Sequence, residues 1–235
     1  MALRFLAAAM LLLVGAGPVT AQQARRAPAA NWVNMVARTP EGGFRQGNPN
    51  ATIKLVEYGS RTCPTCRAFA MEGVEPLRRE WIASGKLSYE FRDYLIHGVP
   101  DLSLALLNQC VPTARFFPVL DQMFANQESF DGPLHKLIEA QPKVVEGWQR
   151  LPPAQAATKF AESLGMITFM KARGLPEAQA RRCLSNPALI KSVADAYAAG
   201  VKAGVQGTPS FFINGRRVRA FTWDQLQPEL RAADS

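Results

Sequence analysis

An α/β fold carrying a long all-helical insertion is what this sequence predicts, and three observations predict it. Residues 52–58 and 87–93 are rich in β-formers and flank a helical run, giving a βαβ unit whose crossover implies parallel, right-handed pairing. After Pro100, roughly a hundred residues show helical periodicity broken by Pro and Gly. Strand signals then resume at residues 210–213, where Asn214-Gly215 is the dipeptide of a tight hairpin.

The chain opens on a secretory signal. Arg4 supplies the positive end, residues 5–14 an apolar stretch, and Val19-Thr20-Ala21 the small residues of a cleavage site, so cutting is expected after Ala21. The apolar stretch is short for a membrane span, and no later run reaches the ~18 apolar residues that a span needs. A soluble protein, periplasmic or otherwise exported, is therefore expected, in a compartment where disulfides persist. Hydrophobic residues make up 48% of the 235, enough for a packed core and too many for a disordered chain. The formal net charge of +8 comes from scattered Lys and Arg without a nucleic-acid motif, which reads as a solvated basic surface.

Residues 22–46 read as an N-terminal extension. Its first part is linker-like, Trp32, Val33, Met35 and Val36 suit a short docked helix or strand, and Gly42-Gly43 and residues 47–50 mark loops. Ile53, Leu55, Val56 and Tyr58 make a mostly buried strand. The next helix carries Cys66, Phe69, Val74, Leu77 and Trp81 on one face, with a kink expected at Pro76. Residues 87–93 alternate, with Leu87, Tyr89 and Phe91 on one side. Residues 101–204 are assigned to the helical insertion, with Phe116, Phe117, Leu120, Met123, Phe124 and Leu137 expected to form a small core of its own. Asn186-Pro187 caps a helix running to about residue 203. Thr222 and Gln225 give the signature of a last helix.

Between the first strand and its helix stands Ser60-Arg61-Thr62-Cys63-Pro64-Thr65-Cys66-Arg67. Cys63 falls at a helix N-terminus, where free N–H groups and the helix dipole favour an anion, and Pro64 suits the first helical position. Arg61 and Arg67 flank the pair, and no carboxylate lies between Glu57 and Glu72, so the charge pattern also favours thiolate. A stabilised thiolate leaves readily, which makes a Cys63–Cys66 disulfide an oxidant. The competing readings are half a zinc site and an inert structural disulfide. A zinc site needs a second close Cys or His pair, and Cys110, Cys183, His97 and His135 each stand alone, so no metal and no cofactor are assigned.

Strand, C-P-x-C, helix, strand, helical insertion, then Gly207-Thr208-Pro209, hairpin and terminal helix: this order resembles the thioredoxin fold as elaborated in the DsbA-like family of exported thiol-disulfide oxidoreductases. The residues carrying the resemblance are Leu55-Val56-Glu57-Tyr58, Cys63-Pro64-Thr65-Cys66, residues 205–212 and Ile213-Asn214-Gly215, and it spans residues 47 to 232. It divides the rest of the chain into a thioredoxin-like part, 47–100 with 205–235, and the insertion. The resemblance implies that Cys63 is the nucleophilic cysteine, Cys66 its buried partner, Pro209 a cis-proline beside them, and Thr208 the backbone that pairs with a client peptide. A trans proline opening a strand is the alternative at Pro209. It also implies that Glu57 is a partly buried acid assisting proton transfer; an edge glutamate in solvent is the alternative there. Thr65 departs from the His that strong oxidases of the family often carry, so an oxidant of intermediate strength is expected.

Four cysteines allow three connectivities, and with Cys63 and Cys66 paired the remaining bridge is Cys110 to Cys183. The implied partners are exported polypeptides with free cysteines and a membrane quinone-linked protein that restores the disulfide. The roughly thirty residues before the first strand leave little room for the dimerisation domain of exported isomerases, so a monomer is expected. An isomerase or reductase of the same fold, or a non-catalytic peptide-binding module, are the alternatives.

Overall fold

The computed structural model describes residues 31–235, so the signal segment and its cut after Ala21 lie outside the described residues. A short 3-10 turn (Trp32–Asn34) leads into a hairpin of β1 (Val36–Arg38) and β2 (Phe44–Gly47). Then come β3 (Ile53–Gly59), α1 (Pro64–Glu72), α2 (Val74–Pro76) with a π-helical turn (Leu77–Ile82), and β4 (Leu87–Asp93). Eight helices follow: α3 (Val99–Gln109), α4 (Phe116–Ala125), α5 (Glu128–Ala140), α6 (Pro142–Gln149), α7 (Pro153–Ser163), α8 (Met166–Lys171), α9 (Glu177–Leu184) and α10 (Pro187–Lys202). The chain closes with β5 (Ser210–Ile213), β6 (Arg216–Val218) and α11 (Trp223–Ala233).

The six strands form one sheet in the order β1-β2-β4-β3-β5-β6. β3 and β4 pair in parallel from Ile53 opposite Leu87 to Gly59 opposite Asp93, the pairing that the βαβ reading predicts. β5 runs antiparallel to β3, placing Phe211 opposite Glu57. Asn214 and Gly215 both have positive φ, 50° and 80°, as a two-residue hairpin turn requires. The thioredoxin-like architecture with helices inserted between β4 and β5 agrees with the fold class expected from the sequence.

Three local features differ from the sequence reading. The stretch around Gly42-Gly43 is not a plain loop but the turn of a hairpin that adds two strands to the sheet. Near Pro76 the helix breaks at Gly73 and then over-widens: the Ala83 N–H reaches back five residues to the Arg78 carbonyl, 2.9 Å. Proline lacks the N–H that a regular ladder needs there. The aromatic face of α4 does not belong to a separate helical core. Phe116, Phe117, Leu120 and Phe124 pack with Phe44, Tyr89, Phe91 and α1 in the sheet core, while Met123 and Leu137 go with the helical cluster. An amphipathic helix sandwiched between two apolar layers is apolar on both sides, and spacing alone does not say which residue meets which layer.

Candidate active site

Strand β3 carries its odd-numbered residues to the face covered by α1. Ile53 and Leu55 fill the core there, and Glu57 continues the same row, 1% exposed. Gly59 closes the strand where no side chain fits, since a Cβ there would collide with the Phe91 ring and lie 2.8 Å from Glu57 Oε1. The chain then turns through residues 60–62, and Cys63 becomes the N-cap of α1 with extended backbone and Pro64 in the first turn. Cys63 Sγ accepts from the Cys66 N–H at 3.4 Å. Cys66, one turn on, is fully buried.

Thr208 and Pro209 reach the same spot from the loop before β5. Their peptide bond is cis, and Cys63 as a thiol donates to the Thr208 carbonyl at 3.2 Å. Thr208 Oγ1 is buried with no hydrogen-bond partner among the described residues.

The two sulfurs have opposite acidities. The Cys63 thiol is lowered from 9.0 to about 5, chiefly because the Cys66 thiol hydrogen-bonds to it, with help from Thr208 and the N–H groups of Cys66 and Thr65 and against the pull of burial. Burial pushes the Cys66 thiol well up, and the charges of Glu57 and Cys63 push it further. Glu57 itself is raised from 4.5 to about 8 by burial, opposed by the hydrogen bond from Tyr89 Oη at 2.6 Å. Its second oxygen, Oε1, has no partner among the described residues, so a proton carried there would face no competing donor. A carboxyl with these properties holds its proton at neutral pH, and the solvent-exposed alternative does not describe this position.

Arg61 corrects the charge argument made from sequence. It does not face the thiols: its side chain is buried, ion-paired with Asp93 and hydrogen-bonded to Asn108 Oδ1 at 2.8 and 3.1 Å, with the Phe91 ring 5.2 Å away. A paired, buried guanidinium exerts little net field on Cys63, so thiolate stabilisation comes from local hydrogen bonds. Arg61 is instead a staple joining the active-site turn to β4 and α3.

Further staples escaped the sequence reading. Asp101, buried in the first turn of α3, accepts from Ser60 Oγ at 2.7 Å, Thr62 Oγ1 at 2.8 Å and the His97 N–H at 2.8 Å. Because Thr62 gives its proton to Asp101, its oxygen accepts from His97 Nδ1, 2.6 Å away. Burial raises the Asp101 carboxyl. Gln127, just before α5, donates to the carbonyls of Arg61 and Cys63 at 2.9 and 3.0 Å. These partners lie 39 to 66 residues from the turn, beyond the reach of any local pattern. Cys110 and Cys183 are bonded as a disulfide that ties the end of α3 to α9, with Cα atoms 6.1 Å apart.

The thioredoxin family profile matches residues 39–231, most of the chain. A crystal structure described as a protein-disulfide isomerase from Novosphingobium aromaticivorans superposes with a TM-score of 0.76 and 34% identity, covering 81% of this chain and 96% of that one. The chain belongs to the thioredoxin family. Wolbachia pipientis α-DsbA1 shares the fold at a TM-score of 0.61 and 18% identity, over 81% of this chain and 88% of its own. A Rickettsia conorii protein, provisionally named a protein-disulfide oxidoreductase, is 26% identical over 88% of this chain. This chain spans only 65% of that relative's length. Among the described residues, no helix of this thioredoxin-family chain is long and apolar enough to cross a membrane.

Proposed function

We propose that this protein is an exported thiol-disulfide oxidoreductase that donates a Cys63–Cys66 disulfide to folding polypeptides. The observation that carries the reading is the contrast between the two sulfurs, Cys63 held as thiolate at neutral pH and Cys66 held as thiol. A client thiolate attacks Cys63 Sγ, forming a client–Cys63 disulfide and breaking the Cys63–Cys66 bond. Cys66 leaves with the electron pair and takes a proton, for which the protonated Glu57 carboxyl is the nearby donor. A second client thiolate then attacks the client sulfur of the mixed disulfide. Cys63 is released as a stable thiolate, and the client keeps the new disulfide. Two electrons have passed to the protein, and a membrane quinone-linked partner takes them away.

Oxidised protein mixed with a reduced polypeptide is expected to produce client disulfides, and Cys63→Ser to abolish this. A reduction potential well above the roughly −270 mV of thioredoxin is also expected. A potential at or below that level contradicts a donor role. The name of the Novosphingobium structure favours an isomerase as the second reading. Rescue of a scrambled client by the reduced protein, without net disulfide formation by the oxidised one, would select it. Peptide binding that survives in Cys63→Ser with no exchange at all would instead mark a non-catalytic module.

A further inference from the structure

The face of the sheet opposite α1 is only half covered. Lys54, Val56 and Tyr58 of β3 point to it, because successive side chains alternate between the two faces. α10 closes the Tyr58 end so tightly that a Cβ on Gly200 would lie 2.9 Å from the Tyr58 ring. The helix stops at Lys202, and further along the row Val56 is half-buried and Lys54 exposed. A cavity of about 520 Å³ fills the uncovered half, within the ~300–1,000 Å³ range of small-molecule sites. Its rim is made by the turns of the two hairpins, at Pro40 and Glu41 and at Asn214 and Gly215, and by Ala203 just past α10. The two thiols pack with Ile53 and Leu55 on the other face, so the exchange chemistry above makes no use of this cavity.

Three cations, Arg45, Lys54 and Arg92, line it with two carboxylates, Glu41 and Glu90, leaving one positive charge in excess. Arg92 takes both carboxylates, Glu90 at 2.7 Å and Glu41 at 3.8 Å, and the Thr39 hydroxyl also donates to Glu90 at 2.7 Å. Arg45 and Lys54 therefore have no carboxylate partner among the described residues. The Arg45 Nε is buried with no hydrogen-bond partner among them, whereas buried donors in folded proteins are nearly always paired. Asn214 adds a further donor: its Oδ1 accepts from the Lys54 backbone N–H at 2.8 Å, which leaves its NH2 group to donate. One row across the sheet reads Arg45, Glu90, Val56, Phe212, three strand spacings or about 14 Å from end to end. Its cationic end is Arg45. Its other end is apolar, with Phe212 meeting the Tyr58 ring edge-on at 5.6 Å between centroids.

We infer that this cavity is a binding site for a small aromatic carboxylate. The ring lies over Val56 against Phe212, and the carboxylate points along the row to the guanidinium of Arg45, whose paired N–H groups match its two oxygens. The Lys54 ammonium reaches the same group from β3. Glu90, between them in the row, is held by Arg92 and Thr39 and does not compete for Arg45. A single negative charge matches the single excess positive one. A phosphate dianion would bring more charge than the cavity neutralises, beside two carboxylates. The site is separate from the thiols, so it holds its ligand equally in the dithiol and disulfide forms, and it stands apart from the oxidoreductase reading.

Titration of the whole chain with 2-naphthoate, followed through backbone amide NMR shifts, tests this. 2-Naphthamide and acetate serve as probes that carry only the ring or only the charge. 2-Naphthoate is expected to bind with a Kd of about 1 mM or tighter, the scale for a ligand of its size, and at least about tenfold more tightly than either partial probe. The shifts should gather at Arg45, Val56, Ser88 and Phe212. Arg45→Gln, at a half-buried position, is expected to weaken 2-naphthoate by about tenfold and to leave 2-naphthamide within about twofold. Lys54→Gln alters an exposed position and should give a smaller loss in the same direction. Absence of binding at about 10 mM, shifts centred on Cys63 and Pro64, equal affinity for 2-naphthoate and 2-naphthamide, or affinity unchanged in both variants overturns the site. Tighter binding of 2-naphthyl phosphate than of 2-naphthoate overturns the assignment to a carboxylate. The measurement needs no thiol exchange, so its failure leaves the oxidoreductase reading standing.

Discussion

Glu57→Gln separates a buried, protonated carboxyl from an ordinary one by its pH dependence. The Glu57 carboxyl binds its proton with a value of about 8 in the fold against 4.5 when free. The folded state therefore holds a proton that the unfolded state has lost throughout that window, and stability falls as pH rises across it. Whatever Glu57 contributes is fully present below about 4.5 and declines up to about 8, at ~1.4 kcal/mol per pH unit. At pH 7 the accumulated loss is roughly 3 kcal/mol. Glutamine has no such loss. It still accepts from Tyr89, but its amide N–H groups find no acceptor, a constant cost of about 1 kcal/mol. The variant should thus be slightly less stable than the native protein near pH 4 and more stable by roughly 2 kcal/mol at pH 7. For a chain of this size the difference in Tm should swing by roughly 6–12 °C between those ends. Thermal unfolding of both proteins in the dithiol form, at pH steps from 4 to 9 and with the Cys110–Cys183 bridge intact, reads this out. Melting curves whose separation stays constant from pH 5 to 8 would mean that Glu57 titrates like a solvated acid, and its proposed part in moving a proton to Cys66 would go with it.

Two other predictions concern the scaffold. Arg61→Met leaves the Asp93 carboxylate buried without its partner and should cost about 3–5 kcal/mol in urea unfolding; a loss below about 1 kcal/mol would show that the pair is not a staple. Replacing both Cys110 and Cys183 by Ala frees a 73-residue separation in the unfolded chain and should lower stability by roughly 4 kcal/mol. Unchanged unfolding would mean that the bridge does not constrain the unfolded chain.

The sheet and its ends were legible because their signals are local. Alternation at residues 87–93, the Asn214-Gly215 turn and the Pro64 helix start each depend on neighbours a few residues away, and each forms where its pattern lies. The Asn186 cap is another case, its side chain accepting from the N–H groups of Ala188 and Leu189. What escaped depends on distance in the chain. Arg61 looked like a charge aimed at the thiols because its sequence neighbours are the cysteines, yet Asp93, 32 residues on, claims it. Asp101 and Gln127 give no sign of their role, since an Asp in a first helical turn and a Gln between two helices are ordinary features of solvated surface. The hairpin at residues 36–47 was hidden by short strands and two glycines, too brief to show a period.

The placement of Arg61 changes where the oxidising power of the site originates. If flanking arginines set the acidity of Cys63, its potential would depend on residues free to vary without touching the fold. The groups around the sulfur are instead the Cys66 thiol and the N–H groups of Thr65 and Cys66, fixed by the turn itself, and Thr208, brought in by the loop before β5. At pH 7 an ordinary thiol is protonated, so of the drop from 9.0 to about 5 only the part below 7 favours the reduced form, ~2.7 kcal/mol. Partial solvent screening at the edge of the site reduces this by about half, to a gain of roughly 30 mV in potential. That is a modest push, consistent with Thr65 offering an N–H but no cationic ring. The larger asymmetry is at Cys66, where burial, the hydrogen bond with Cys63 and the Cys63 charge oppose an anion. A leaving group that must be protonated as it departs makes the rate of disulfide donation depend on a nearby proton source, and the buried Glu57 carboxyl is the titratable group on β3 that lies close enough to influence it.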